Sequence, residues 1–239
     1  MKTLKTIVTL LAICISVQVN AFTKKVKGNG NVVTIERTTT DYQKIAVGGF
    51  FNVTLVAGNE GNLTIEIEEN LKDYLITEVK DGKLKINWKK GINVQTRKGV
   101  KITVPFEDIE GVALAGSGEI KNTSTINTSN LELKIAGSGD LKLDVNTEQI
   151  TSKIAGSGNM KIYGSTNDLE CKIAGSGDFE GYDLIVNNAM AQIAGSGTIK
   201  ATVNGTLSAK ISGSGDFYYK GNPKTENIKV SGSGSVTKR

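Results

Sequence analysis

Between residues 111 and 239 the apolar positions fall into columns around a recurring Gly-Ser-Gly. Two residues before its first glycine stand Leu114, Ile135, Ile154, Ile173, Ile193, Ile211 and Val230. Two residues after its last glycine stand Ile120, Leu141, Met160, Phe179, Ile199, Phe217 and Val236. Two positions further upstream lies a smaller, mostly apolar set: Val112, Leu133, Ser152, Cys171, Ala191, Ala209 and Ile228. A spacing of two is the strand period, so each copy reads as a short strand, a corner and another short strand, with these columns pointing inward.

The tripeptide begins at Gly116, Gly137, Gly156, Gly175, Gly195, Gly213 and Gly232, at intervals of 18 to 21 residues. A near-constant period of that length is the mark of a solenoid. A unit of about 19 residues cannot bury an apolar face alone, whereas parallel stacking joins the columns into one continuous core. The prediction is an all-β, right-handed parallel β-solenoid of about seven 19-residue coils, its hand taken from the general preference of parallel crossovers.

The alternation also predicts what faces outward. Just before the inward isoleucines stand Ala113, Lys134, Lys153, Lys172, Gln192, Lys210 and Lys229, a lysine-rich ladder that reads either as a binding stripe or as a solvated face. After each corner come Glu119, Asp140, Asn159, Asp178, Thr198, Asp216 and Ser235. From Asp140 onward acids alternate with neutral residues, which keeps like charges two rungs, roughly 10 Å, apart.

Residues 22–110 lack the strict repeat and read as an irregular β segment that packs on, or continues into, the first coils. "LTIEIE" alternates cleanly, "ITEVK" and "KLKIN" flank a hairpin turn at Asp81-Gly82, and "KIAVGGFFNVTL" looks like a degenerate coil. One helical turn is expected, with Asn70 as its cap, Asp73 in its first turn, and Leu71, Tyr74 and Leu75 on one face. The division is therefore a signal peptide over 1–21, an N-terminal β segment over 22–110 and the repeat over 111–239.

The signal peptide is read from Lys2 and Lys5, the apolar run that follows and the small residue Ala21. Cys14 raises the alternative of lipoprotein anchoring, but Ile13 precedes it where a small residue is expected and apolar residues continue beyond it. The chain is thus expected to be exported, to the periplasm or the outer surface, and at most peripheral to a membrane. Of 29 basic side chains two lie in that segment, leaving 27 against 24 carboxylates, a balance that points to no nucleic-acid partner. Only Cys171 remains after residue 21, in an inward column where it reads as packing; no histidine occurs.

These facts weigh against several chemistries. A phosphate loop needs its glycine-rich turn to feed a helix, and here it feeds a strand. Calcium β-rolls use a nine-residue repeat, and the acids here are missing from alternate copies. Serine nucleophiles lack a histidine base. Glycan cleavage by paired carboxylates such as Glu119 with Asp140, or Asp178 with Asp216, remains a remote alternative, since periodicity already explains those acids. No catalytic, metal or cofactor residues are assigned. Tyr163, Tyr182, Tyr218 and Tyr219 join Lys134, Lys153, Lys172, Lys210 and Lys229 as a candidate binding surface, the tyrosines for stacking on sugars.

The run "NGNVVTIERTTTDYQKIAVGGFFNVTLVAGNEGNLTIEIEENLKDYLITEVKDGKLKI", followed by repeated "AGSGD", resembles the family described as "putative auto-transporter adhesin, head GIN domain", common in Bacteroidetes. The resemblance spans nearly all of the chain after residue 21 and implies an exported, all-β, β-helical protein. It supplies no catalytic or binding residues, and the chain shows no outer-membrane barrel, so autotransport itself is not expected. The expected function is a non-enzymatic, adhesin-like envelope protein that presents its side to a glycan, an envelope component or a partner protein. The alternative is a structural protein that self-assembles as a homo-oligomer through its C-terminal coil.

Overall fold

The computed structural model describes residues 24–239. The expected signal peptide, and with it the question of Cys14, lies outside the described residues. The N-terminal part contains β1 (Lys24–Lys27), β2 (Val32–Thr38), β3 (Lys44–Gly49), β4 (Asn52–Ala57) and β5 (Asn62–Glu68). A 3-10 helix (Glu69–Tyr74) leads to β6 (Leu75–Lys80), β7 (Lys83–Trp88), β8 (Ile92–Gln95) and β9 (Lys101–Phe106).

The "KIAVGGFFNVTL" stretch is a coil of the stack. β3 runs parallel to β10 (Gly111–Gly116) with Gly49 opposite Gly116, and β4 runs parallel to β11 (Glu119–Asn122) with Asn52 opposite Glu119. On its other side β3 pairs in parallel with β7, and β4 with β9. The outermost rung is therefore built by residues later in the sequence than those of the second rung. Chain order and spatial order are exchanged at this end.

That exchange lets the chain close the end of the solenoid. β6 runs antiparallel to β7, β5 antiparallel to β9, and β2 antiparallel to β5. Leu63, Ile65 and Ile67 of β5 are fully buried by this arrangement. The expected hairpin joins Lys80 to the opposing Lys83 through Asp81 (φ 53°) and Gly82 (φ 66°), the two left-handed residues that a tight turn of this hand requires.

The helical turn forms where expected, with Leu71 buried, but Asn70 does not cap it. Glu68 holds the N-cap position and its carboxylate accepts the N–H groups of Gly30 (2.6 Å) and Arg97 (2.8 Å). Asn70 instead accepts from Asn29 N–H (3.0 Å) and donates to the Lys27 carbonyl (2.8 Å). Both side chains are drawn to the turn that follows β1, a strand some 40 residues away that pairs in parallel only with β8. A local capping rule has no access to that partner.

The repeat continues as β12 (Ile126–Gly137), β13 (Asp140–Gly156), β14 (Asn159–Gly175), β15 (Asp178–Gly195), β16 (Thr198–Gly213), β17 (Asp216–Lys220), β18 (Thr225–Gly232) and β19 (Ser235–Lys238). Successive copies pair in parallel with the corner glycines in register, Gly137 opposite Gly156 opposite Gly175 opposite Gly195 opposite Gly213. With the seven Gly-Ser-Gly coils and the two N-terminal rungs, the apolar columns merge into one core. From Leu114 to Ile211 every member of the first column is at most 2 % exposed. Each such burial stabilises by roughly 1.5–3 kcal/mol.

Each corner is glycine for two reasons, seen clearly at Gly156 and Gly158. Gly156 has φ +118°, a conformation that disfavours any side chain. Gly158 sits directly over the coil below, where a Cβ would lie 2.4 Å from the Gly139 carbonyl oxygen and 2.6 Å from the Ile135 Cγ2. The serine between them points outward, while its N–H continues the ladder to the Gly137 carbonyl (2.9 Å).

A second bend, unmarked by glycine, turns the chain on the far side of the coil. At this bend Thr147 and Thr166 are buried. The Thr147 hydroxyl accepts from Gln149 N–H (3.2 Å) and donates to the Ser129 carbonyl of the coil below (3.1 Å). The bend thus satisfies its own backbone polar groups without exposing them.

Candidate ligand-binding face

Every coil contributes one strand before its corner and one after, and these form two separate ladders. Because both send their apolar columns into the same core, their outward residues face different directions. In the ladder before the corner, the lysine column runs in register through Lys134, Lys153, Lys172, Gln192, Lys210 and Lys229. It continues through Ala113 and Ala46 to Lys85 on the outermost rung.

Beside the lysines lies a column of minimal side chains that sequence reasoning passed over: Gly48, Ala115, Ala136, Ala155, Ala174, Ala194 and Ser212. Small residues between long ones leave a trough. Two depressions of about 470 and 370 Å³ lie along it and share Lys153 and Ala155 as lining, so they form one continuous feature. From the rung of Gly48 to that of Ser212 it spans six steps, roughly 29 Å. At the Gly48 end Asn87 lines the trough and is followed by Trp88, whose ring lies 5.8 Å from that of the surface residue Phe50.

The lysines are not electrically equivalent. Lys134 is paired with Glu132 (2.5 Å) and Lys172 with Glu170, each two residues back on its own strand. The Lys134 ammonium, helped by Lys153 and Lys44, holds the Glu132 carboxyl below the usual range. At the corresponding positions before Lys153, Lys210 and Lys229 stand Thr151, Ser208 and Asn227. Those three lysines make no ion pair among the described residues. The trough therefore presents an apolar floor beside a lysine column in which Lys134 and Lys172 are paired and Lys153 and Lys210 are not.

The tyrosines do not belong to this face. Tyr163, Tyr182 and Tyr218 project from the ladder after the corner, and each is covered by a cation. Lys161 lies 5.4 Å from the Tyr163 ring, Lys220 4.5 Å from Tyr182, and the Arg239 guanidinium 4.6 Å from Tyr218. Tyr219 is not on the surface at all: it is 6 % exposed, and its hydroxyl donates to Glu226 (2.9 Å). Neighbours in a strand point to opposite sides, so Tyr218 and Tyr219 could not share a face.

The carboxylates weighed for glycan cleavage are engaged in the ladder. Asp140 accepts from the Asn159 amide (3.0 Å), Asp178 from Thr198 N–H (2.8 Å), and Asp216 from the Ser235 N–H (2.9 Å) and hydroxyl (2.7 Å). Glu119 is paired with Lys142 (3.5 Å). Cys171 is fully buried between Ser152 and Ala191, and burial pushes its thiol up to about 12, far from a reactive thiolate. Among the described residues no group of three or more Cys, Asp or Glu side chains is arranged to hold a metal ion.

A comparison with known families matches residues 41–223 to the one described as "Putative auto-transporter adhesin, head GIN domain". The chain belongs to this family. The match runs across residue 110, as does the parallel pairing of β3 with β10. Among solved structures, a putative adhesin from Bacteroides fragilis is similar at 22 % identity with a TM-score of 0.84, over 90 % of this chain and 100 % of that one. A protein from Parabacteroides distasonis described as a putative lipid binding protein is similar at 29 % identity, TM-score 0.75, with the same coverage. A putative adhesin from Parabacteroides merdae is similar at 21 % identity, TM-score 0.73, over 90 % and 99 %. The curated proteins include no match. These three structures thus share the coiled architecture along the length of the chain they cover.

Proposed function

We infer that this is a non-enzymatic, exported, adhesin-like envelope protein that takes up an elongated anionic amphiphile, an acyl chain carrying a carboxylate or phosphate, along its trough. The observation that carries this is the column of small residues stacked beside Lys134, Lys153, Lys172 and Lys210. The alanine floor offers apolar area to a thin chain, and Lys153, Lys210 and Lys229 make no ion pair among the described residues. A trough of roughly 29 Å exceeds the half-thickness of a bilayer, about 15 Å, and so has length for a whole acyl chain. The Parabacteroides distasonis relative, described as lipid binding, supports the same reading.

The test is titration of the purified protein (residues 22–239) with dodecanoate below its micellar concentration, followed by calorimetry. Saturable binding is expected, weakened at least about tenfold by Lys153→Glu with Lys210→Glu, and also by Ala155→Glu, which puts a charge into the exposed floor. Absence of binding, or binding indifferent to all three changes, overturns the reading. Binding of an acidic oligosaccharide that depends on the same residues while dodecanoate does not bind would assign the face to a glycan.

A further inference from the structure

A second charged feature begins just beyond the Gly48 end of the trough, where Asn87 is followed by Trp88, Lys89 and Lys90. β1 and β8 form a two-stranded parallel ribbon with Lys24 opposite Ile92 and Lys27 opposite Gln95. The strands and their adjoining turns, residues 24–31 and 88–99, carry Lys24, Lys25, Lys27, Lys89, Lys90, Arg97 and Lys98 and contain no Asp or Glu. All seven side chains are exposed, and none makes an ion pair among the described residues. Val94 is buried and Val26 half-buried on the inner side, so the alternation sends Lys25 and Lys27 outward together, roughly 7 Å apart. Two carboxylates reach this region: Glu68 is fully buried and already accepts two backbone N–H groups, one of them that of Arg97, and Glu69 accepts from the Asn31 side-chain amide (3.0 Å).

The rest of the chain has the opposite sign. Of the 27 basic side chains after residue 23, these seven leave 20 to set against 24 carboxylates. The contrast is sharpest across β9. Arg97 and Lys98 precede it, while Glu107 and Asp108 follow it and line a depression with Asp41 and Glu60, a strand length of roughly 20 Å away. Burial and the nearby Asp41 and Asp108 charges raise the Glu60 carboxyl above its ordinary range, a sign of crowded negative charge there. A uniformly basic protein would bind any polyanion, whereas one with a compact positive ribbon and a net negative body is oriented by a charged plane.

We propose that the β1–β8 ribbon docks the protein, by this end, on the anionic surface of a phospholipid bilayer. Seven cations, three in β1 and four in the turns on either side of β8, match a surface of closely spaced headgroup phosphates, and each basic residue at such a surface adds favourably to adsorption. The ribbon binds headgroups as charges and inserts nothing, whereas the trough takes single amphiphiles along the alanine column.

The experiment is flotation of residues 22–239 with vesicles of phosphatidylcholine alone or with about one third phosphatidylglycerol, at low and high salt. Binding only to the anionic vesicles is expected, falling steeply between roughly 0.1 and 0.5 M salt. Lys25→Glu, Lys27→Glu, Lys89→Glu and Lys90→Glu together should lower the partition coefficient at least about tenfold, with the melting temperature checked alongside. Lys153→Glu with Lys210→Glu should leave vesicle binding unchanged while weakening that of dodecanoate at least about tenfold, so the two readings fail separately. Equal binding to both vesicle types, or binding retained by the folded ribbon variant, overturns the proposal. So does preferential, ribbon-dependent binding to heparin with no partition to anionic vesicles, which would make the ribbon a polysaccharide surface.

Discussion

The residue after each corner illustrates how much one side chain does in a stacked fold. Alternation of acids with neutral residues was expected simply to keep like charges apart. In the structure the neutral residue also donates to the acid of the coil below, as Asn159 does to Asp140, Thr198 to Asp178 and Ser235 to Asp216. The Ser235 hydroxyl, with its N–H and the Tyr218 hydroxyl, holds the Asp216 carboxyl below its ordinary range. A carboxylate depressed in the folded state stabilises above its unfolded pKa, about 3.9, and loses that contribution as the pH falls through the lower folded value. Asn159→Asp would place carboxylates on four consecutive rungs, those of Glu119, Asp140, residue 159 and Asp178, about 4.8 Å apart. It should destabilise by about 1 kcal/mol in urea unfolding at pH 7. The loss should shrink in 1 M salt and largely vanish near pH 3, where the carboxylates are protonated.

At the scale of the element, the corner decides whether coils can stack at their natural separation. The outer serine and the inner glycine of the same tripeptide should therefore respond very differently to alanine. Gly158→Ala drives a methyl group into the Gly139 carbonyl and Ile135, with no flexible end to give way. A loss of about 2–3 kcal/mol is expected. Ser157→Ala, with its hydroxyl outside, should stay within about 0.5 kcal/mol. Equal effects in denaturant unfolding would mean that the corner is held by the serine rather than by close backbone approach. The trough depends on the same spacing, since its alanines line up only while the corners remain in register.

The whole molecule is asymmetric along its axis. Its N-terminal end is closed by antiparallel strands, whereas on the last rung Ile228 and Val230 are each 40 % exposed, although their columns are buried below. Among the described residues, nothing pairs with the outer edges of β18 and β19. An open edge with its apolar column showing invites pairing with a second copy. Concentration-dependent association by light scattering is the expected result, reduced by Ile228→Lys with Val230→Lys. A strictly monomeric mass at high concentration would count against it.

By itself the sequence determined the coils. Period, inward columns and glycine corners are local and repeated, so each copy states the same geometry and the register follows from aligning them. The lysine ladder and the two-residue hairpin were legible for the same reason. Only the tertiary structure decided what depends on neighbours remote in sequence. It exchanged the order of the first two rungs, turned Asn70 from a cap into a tie to β1, and separated the tyrosines from the lysines. It also assembled the two features proposed as surfaces. The trough exists because alanines 18 to 21 residues apart are stacked beside lysines, and the ribbon because two basic segments some 60 residues apart pair in parallel. Neither is visible along the chain, because each is made by contact between segments whose own patterns are unremarkable.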